Sequence, residues 1–123
     1  MAAPNIVAVA TITGKTAANT PPTTSATSLV SNASSSGQVF KINTVTASNL
    51  GTGAINATVA YNNAAAGAGT SFPIANTVSI PAGATLIVVD KSTAFYLEEN
   101  TSLTVTSASA SNVAFVASYE IIA

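Results

Sequence analysis

Apolar and polar residues alternate one by one along most of this chain, and that habit constrains the fold more than any other feature. A period of two suits a strand with one buried face, whereas a helix needs an apolar stripe with a period near 3.6. Phe40 and Ile42 lead one face of a run over residues 38–50, and Ile55, Ala57, Val59 and Tyr61 alternate through 55–61. Over 102–107, Leu103 and Val105 point inward while Ser102, Thr104 and Thr106 point outward. Turn residues cut the runs at short intervals: NASSSG at 32–37, LGTG at 50–53, PAGA at 81–84 and SASN at 109–112. The alanine run of NNAAAGAGT, 62–70, is too short and too broken by glycine to hold a helix.

The other strands follow from the same pattern. Residues 6–13 read as a first strand, with Ile6, Ala8, Ala10 and Ile12 on one face and Val7, Val9, Thr11 and Thr13 on the other. Residues 14–24 read as a loop, because Pro21 and Pro22 bar a helix or a central strand. A short strand follows at 26–30. The run at 72–80 carries Pro73, which places it at an edge or a bulge. TLIVVD at 85–90 is the most apolar run and is expected to be central. A short strand at 94–97 and a last one at 113–122, closing the sheet, complete the set. The runs at 38–50 and 55–61, joined by 50–53, read as a β-hairpin. Eight or nine strands in 123 residues are expected to form an all-β, two-layer sandwich, jelly-roll or Ig-like, since a single sheet would leave an apolar face in water. Residues 1–123 read as one domain with a short N-terminal arm at 1–5.

Charge is the next constraint. Only 6% of the residues are charged, against about 25% in a typical soluble domain. The cations are Lys15, Lys41 and Lys91, and the acids are Asp90, Glu98, Glu99 and Glu120. Three scattered lysines do not neutralise a row of phosphates, so no nucleic-acid partner is expected. There is no polybasic cluster for an anionic membrane and no apolar run near about 18 residues, so no membrane partner is expected either. The start of the chain lacks a basic n-region, and synthesis in a cytoplasm without a targeting segment is expected. A surface this weakly charged repels its own copies weakly, and charge is what interface cores lack. A homo-oligomer is therefore expected, a trimer first.

Chemistry finds little to work with. His and Cys are absent, which removes the commonest general base, the thiol nucleophile and the usual zinc ligands. The serines have no histidine to activate them, and no S-x-x-K spacing supplies a lysine. Glu98 and Glu99 are adjacent and on a strand would point to opposite faces, so they would not share a substrate as paired carboxylates do. Asp90, Glu98 or Glu99 with Asn100 offer oxygens to Ca²⁺ but without EF-hand spacing, and read more simply as solvated turn residues. Gly51-Thr52-Gly53 and Gly67-Ala68-Gly69 lack the lysine and helix of a phosphate loop. The sequons at Asn32, Asn56 and Asn100 are as many as chance provides. Phe95 and Tyr96 must face opposite ways on a strand, one to the core and one free for an outer contact. No catalytic, cofactor-binding or metal-binding residue is assigned, no cofactor is expected, and the chain is read as a non-enzyme.

Two segments carry a resemblance. The start, Ala3-Pro4-Asn5-Ile6-Val7 through Ala10-Thr11-Ile12-Thr13-Gly14-Lys15-Thr16, is similar to the opening of small virion proteins of marine tailed phages of the cyanophage myophage type. The second half adds Ile80-Pro81-Ala82-Gly83-Ala84-Thr85-Leu86, then Tyr96-Leu97-Glu98-Glu99-Asn100-Thr101-Ser102-Leu103-Thr104-Val105, then Ser118-Tyr119-Glu120-Ile121-Ile122. This order resembles a recurring phage structural domain, in which the position of Asn100 is often Gly followed by an acid. The resemblance covers residues 1–16 and 78–123. It implies a virion location, assembly in the host cytoplasm, and other virion structural proteins as partners: a major capsid protein, or tail or neck components. Capsid-surface decoration or cement is the first expectation. A tail, neck or fibre-associated role is the second, and a cell-surface or secreted β-sandwich binding module the third.

Overall fold

The computed structural model describes residues 7–123. Nine strands appear in order: β1 (Ile12–Asn19), β2 (Thr27–Asn32), β3 (Val39–Asn49), β4 (Ile55–Asn62), β5 (Ser71–Ile80), β6 (Thr85–Val89), β7 (Phe95–Leu97), β8 (Thr101–Ser107) and β9 (Val113–Ile122). Single turns of 3-10 helix stand at Ala65–Gly67 and Lys91–Thr93. The first sheet has the order β1-β9-β3-β6, with β7 following β6 along the same margin of β3. The second has the order β2-β8-β4-β5. All pairings are antiparallel, and the two sheets form the expected β-sandwich. Except at the β4–β5 hairpin and the step from β6 to β7, each connection carries the chain from one sheet to the other. That winding is the one a jelly roll uses.

The core is what alternation requires. Ile42, Val45, Ala47, Leu97, Phe115 and Ala117 face inward from the first sheet, and Val59, Leu103 and Val105 from the second, all fully buried. Phe40 lies beside Tyr119 with ring centroids 5.5 Å apart. Phe95 lies in register with the buried Ile42, while Tyr96, one residue on, takes the outer face.

Several expectations fail, each for a physical reason. The first strand is not residues 6–13: β1 begins at Ile12 and runs through Gly14, Lys15 and Thr16, which read as loop. Residue 6 and the arm 1–5 lie outside the described residues. β1 is an edge strand held in register by β9 over eight residue pairs. Backbone pairing sets such a strand, and it buries too little to need apolar alternation.

The hairpin across 50–53 is also wrong. β3 and β4 lie in different sheets, and residues 50–53 cross between them. Both layouts need alternating strands and a glycine-bearing turn, so the local pattern is the same. Nor is 85–90 central: β6 is at the margin of the first sheet, with Ile87 65% exposed. β9, expected to close the sheet, instead lies inside it between β1 and β3. Pro73 does sit on an edge strand, with register shifts where β5 meets β4.

Three strands end on a buried asparagine that staples the turn leaving it. Asn32 closes β2 and donates to the carbonyls of Gln38 (2.9 Å) and Leu97 (3.0 Å). Asn49 closes β3 and donates to Gly53 and Ile80, both at 2.8 Å, while its Oδ1 accepts from the Gly51 N–H at 2.8 Å. Asn62 closes β4 and donates to Gly67 at 3.1 Å. An amide carries both donor and acceptor, so one side chain satisfies turn backbone that the ladders leave unpaired.

Candidate interaction surface

A β-sandwich meets other molecules through its strand edges, its two outer faces or the gap between its sheets. The edges are obstructed. β5 carries Pro73, which has no N–H, and a kink at Thr77 (φ 52°), whose N–H turns back to Thr58 Oγ1 at 2.9 Å. β2 has a register shift between Ser28 and Val30, and β6 is only five residues long before the turn at Lys91–Thr93. β1 is regular, but Lys15 stands in register with Tyr119, which packs against the core. A charge at an inward-facing position of an edge strand hinders pairing with another chain.

Part of the outer face of the second sheet is covered by the chain itself, while Asn56 of β4 and Pro73 and Ser79 of β5 on the same face stay exposed. Residues 63–70 fold back over it, and the Ala65–Gly67 turn sits on β2 and β8. The Ala66 N–H donates to Ser31 Oγ (2.9 Å), the Gly67 N–H donates to Ser102 Oγ (2.9 Å), and that hydroxyl donates to the Ala64 carbonyl (2.7 Å). Thr104 Oγ1 donates to Asn62 Oδ1 at 2.8 Å. Ser102 and Thr104, expected to face outward into solvent, do point outward, but both are buried beneath this loop. Gly67 has φ +76°, and a Cβ there would lie 3.2 Å from Thr104 Cγ2, so glycine lets the loop lie this close.

Among the described residues no loop covers the outer face of the first sheet in this way, although Val39 and Ile122 at one end of it are buried. Register places Ala18, Val116, Thr46 and Ile87 in one row across all four strands. A second row is Gly14, Glu120, Lys41 and Tyr96. Val116, Ile87 and Tyr96 are 38%, 65% and 42% exposed, and Ile12 on the same face is 58% exposed. Among the described residues the face holds two charges, Lys41 and Glu120, directly opposite each other on β3 and β9.

The gap between the sheets opens on one flank as a cleft of about 570 Å³. Tyr61, Phe72, Pro73 and Ile74 form the wall from the second sheet; Val88, Val89, Thr93 and Phe95 form the other. None of the seven charged residues lines it. Phe72 stacks toward Tyr61, centroids 6.4 Å apart, yet stays half exposed. The lining is apolar with two hydroxyl-bearing side chains, which suits contact with an apolar surface.

Of the acids weighed as ligands, Asp90 lies in a different turn from Glu98 and Glu99. Asp90 is exposed and caps the Lys91–Thr93 turn: its carboxylate accepts from Ser92 N–H (2.9 Å) and Ser92 Oγ (2.5 Å). The Ser92 hydroxyl, then the backbone N–H, hold its pKa below the ordinary aspartate value. Glu98 is exposed. Glu99 is not the solvated residue expected: Oε2 accepts from the Gly37 N–H at 3.2 Å, and Oε1 is buried without a hydrogen-bond partner among the described residues. It clips the turn after β7 to the turn after β2. Asn100 accepts from the Ala65 N–H at 3.1 Å, tying the same turn to the covering loop. The sequence pattern places Asn32 and Asn62 in turns and Asn49 inside a strand, with no stapling role for any of them; the available signal is an asparagine at the end of each apolar run.

Fold and surface together define a two-sheet β-sandwich with, among the described residues, one largely uncovered, charge-poor sheet face and one apolar flank. Compared with known proteins, the chain matches no family model and no curated protein.

Proposed function

We propose that this chain is a non-enzymatic structural subunit of a tailed-phage particle, and that it decorates or cements the capsid surface. One observation carries the reading: among the described residues two separate apolar, charge-poor areas stay exposed on a fold whose edges are obstructed and whose other face is partly covered by its own loop. A protein that tiles a shell needs more than one contact area, one toward the shell and one toward sister copies. Burial of apolar area contributes roughly 25 cal/mol per Å² before association costs are subtracted. The sequence resemblance to phage virion domains supports the location, and jelly rolls are an architecture of viral capsid domains, although fold alone does not fix role.

The test is quantitative mass spectrometry of purified particles of the phage that encodes the chain. Copy numbers comparable with the number of capsomers support decoration. A handful of copies per particle moves the chain to the neck or tail, and its absence from particles refutes the virion reading.

A further inference from the structure

We propose that the bare face of the first sheet is a two-fold self-association surface, on which Lys41 of one copy meets Glu120 of the other and the reverse. The proposal rests on reading the chain as an assembly subunit, and it adds a partner and a symmetry. Three observations select a second copy as the occupant.

The first is charge. The face carries one cation and one anion side by side, so its net charge is zero. A two-fold axis lying in the face and passing between these two residues brings each charge onto its opposite on the partner. Lys41 and Glu120 are register neighbours across β3 and β9, yet no ion pair joins them within one chain among the described residues. Each charge is left available to a partner.

The second is apolar content. Val116 and Ile87 share the next row but one, and Tyr96 ends the charged row. All three are substantially exposed in the single chain. Ile87 is outward-facing on a marginal strand, where nothing in the fold of one copy uses it.

The third is size. Val39 and Ile122, at one end of this face, are already buried; from Lys41 to Asn49 β3 runs about 26 Å, and four strand positions span about 19 Å. The available face is therefore about 500 Å² per copy and about 1,000 Å² for the pair, the least a specific interface needs. The cleft on the flank, by contrast, carries no charge that could select a copy of itself.

The test is sedimentation equilibrium of the full chain and of charge-swapped variants, with folding checked by circular dichroism. The wild type is expected to dimerise at micromolar concentration. Lys41→Glu and Glu120→Lys, each alone, are expected to weaken dimerisation by about tenfold or more, because each places like charges at both ends of the contact. An equimolar mixture of the two variants is expected to form a heterodimer, and the double variant Lys41→Glu/Glu120→Lys is expected to recover the homodimer. Ile87→Lys, at an exposed position that leaves the core untouched, is expected to give a folded monomer.

A wild type that is monomeric at about 100 µM overturns the proposal, as does a dimer or trimer indifferent to all four changes. Failure of the single variants to complement each other overturns the reciprocal pairing. These outcomes are read on the isolated protein: a monomer refutes this proposal even if the chain is found in particles, and a complementing dimer supports it even if the chain is not.

Discussion

Replacing Asn49 by alanine should be among the most damaging single changes available, although the side chain is small, polar and far from the largest core residues. Asn49 is 2% exposed. It makes three hydrogen bonds of 2.8 Å, to the Gly53 and Ile80 carbonyls and from the Gly51 N–H. These join the end of β3, the crossover at 50–53 and the end of β5, so they hold both sheets at one corner. A net value of about 1 kcal/mol per bond, plus part of the desolvation left on the stranded backbone groups, gives about 3–4 kcal/mol. A domain of this length has a total stability of roughly 6–18 kcal/mol. With an unfolding entropy of about 0.26 kcal/mol/K for a chain of this size, Tm should fall by about 12–15 °C.

Asn49→Asp sharpens the case. It keeps an acceptor for the Gly51 N–H but turns a carboxylate oxygen toward two carbonyls, so at pH 7 it should cost at least as much as alanine. Burial and the facing carbonyls raise the pKa of this aspartate in the folded state. The deficit relative to wild type should therefore shrink as pH falls through that raised value, where the protonated group regains one donor. Urea unfolding at fixed protein concentration, followed by circular dichroism, measures all three proteins. An alanine variant within about 1 kcal/mol of wild type, or an aspartate variant as stable as wild type at pH 7, would refute the stapling role.

Other expectations concern the covering loop and the turns. Leu103→Ala should cost about 2–5 kcal/mol through a core cavity, while Thr104→Val should cost about 1–2 kcal/mol by stranding Asn62 Oδ1 beneath the loop; equal unfolding midpoints for Thr104→Val and wild type would show that the loop does not seal that face. Asp90, whose pKa is lowered by the Ser92 hydroxyl and N–H, should add stability that is complete above about pH 4 and disappears as pH falls through its lowered folded value; Asp90→Asn should flatten that acid limb in a pH series of melting curves. Glu99→Ala should cost only about 1 kcal/mol, below the usual value of a charged hydrogen bond, because its unpartnered Oε1 already offsets the bond to Gly37; a loss above about 3 kcal/mol in the same urea assay would contradict this.

Alternation identifies which residues share a face, and there the sequence was legible. Phe40 and Ile42, Val59, and Leu103 and Val105 all lie where their period placed them. It does not say which sheet a strand joins, because a hairpin and a sheet-to-sheet crossover leave the same local pattern. Hence the misplaced pairing of β3 with β4. An edge strand such as β1 carries little apolar signal, so the more strongly alternating residues before it were taken instead.

The interaction surface was the least legible part. Ile87 lies in an apolar run that suggests burial on both sides, and only tertiary structure shows it facing outward from a marginal strand. Ser102 and Thr104 obey alternation but are buried by a loop whose course depends on Gly67. The cleft exists because β5 and the β6–β7 segment meet only loosely at one flank, a property of no single stretch of sequence.

The most direct test of the structural role is a sub-nanometre cryo-electron microscopy map of the particle encoded together with this chain, with the sandwich fitted as a rigid body. The expected result is density for many copies on the outside of the shell, with the bare face of the first sheet covered by a two-fold-related copy and the Phe72–Phe95 flank against shell protein. A map with no such density, or one in which both of these surfaces face solvent, would contradict it.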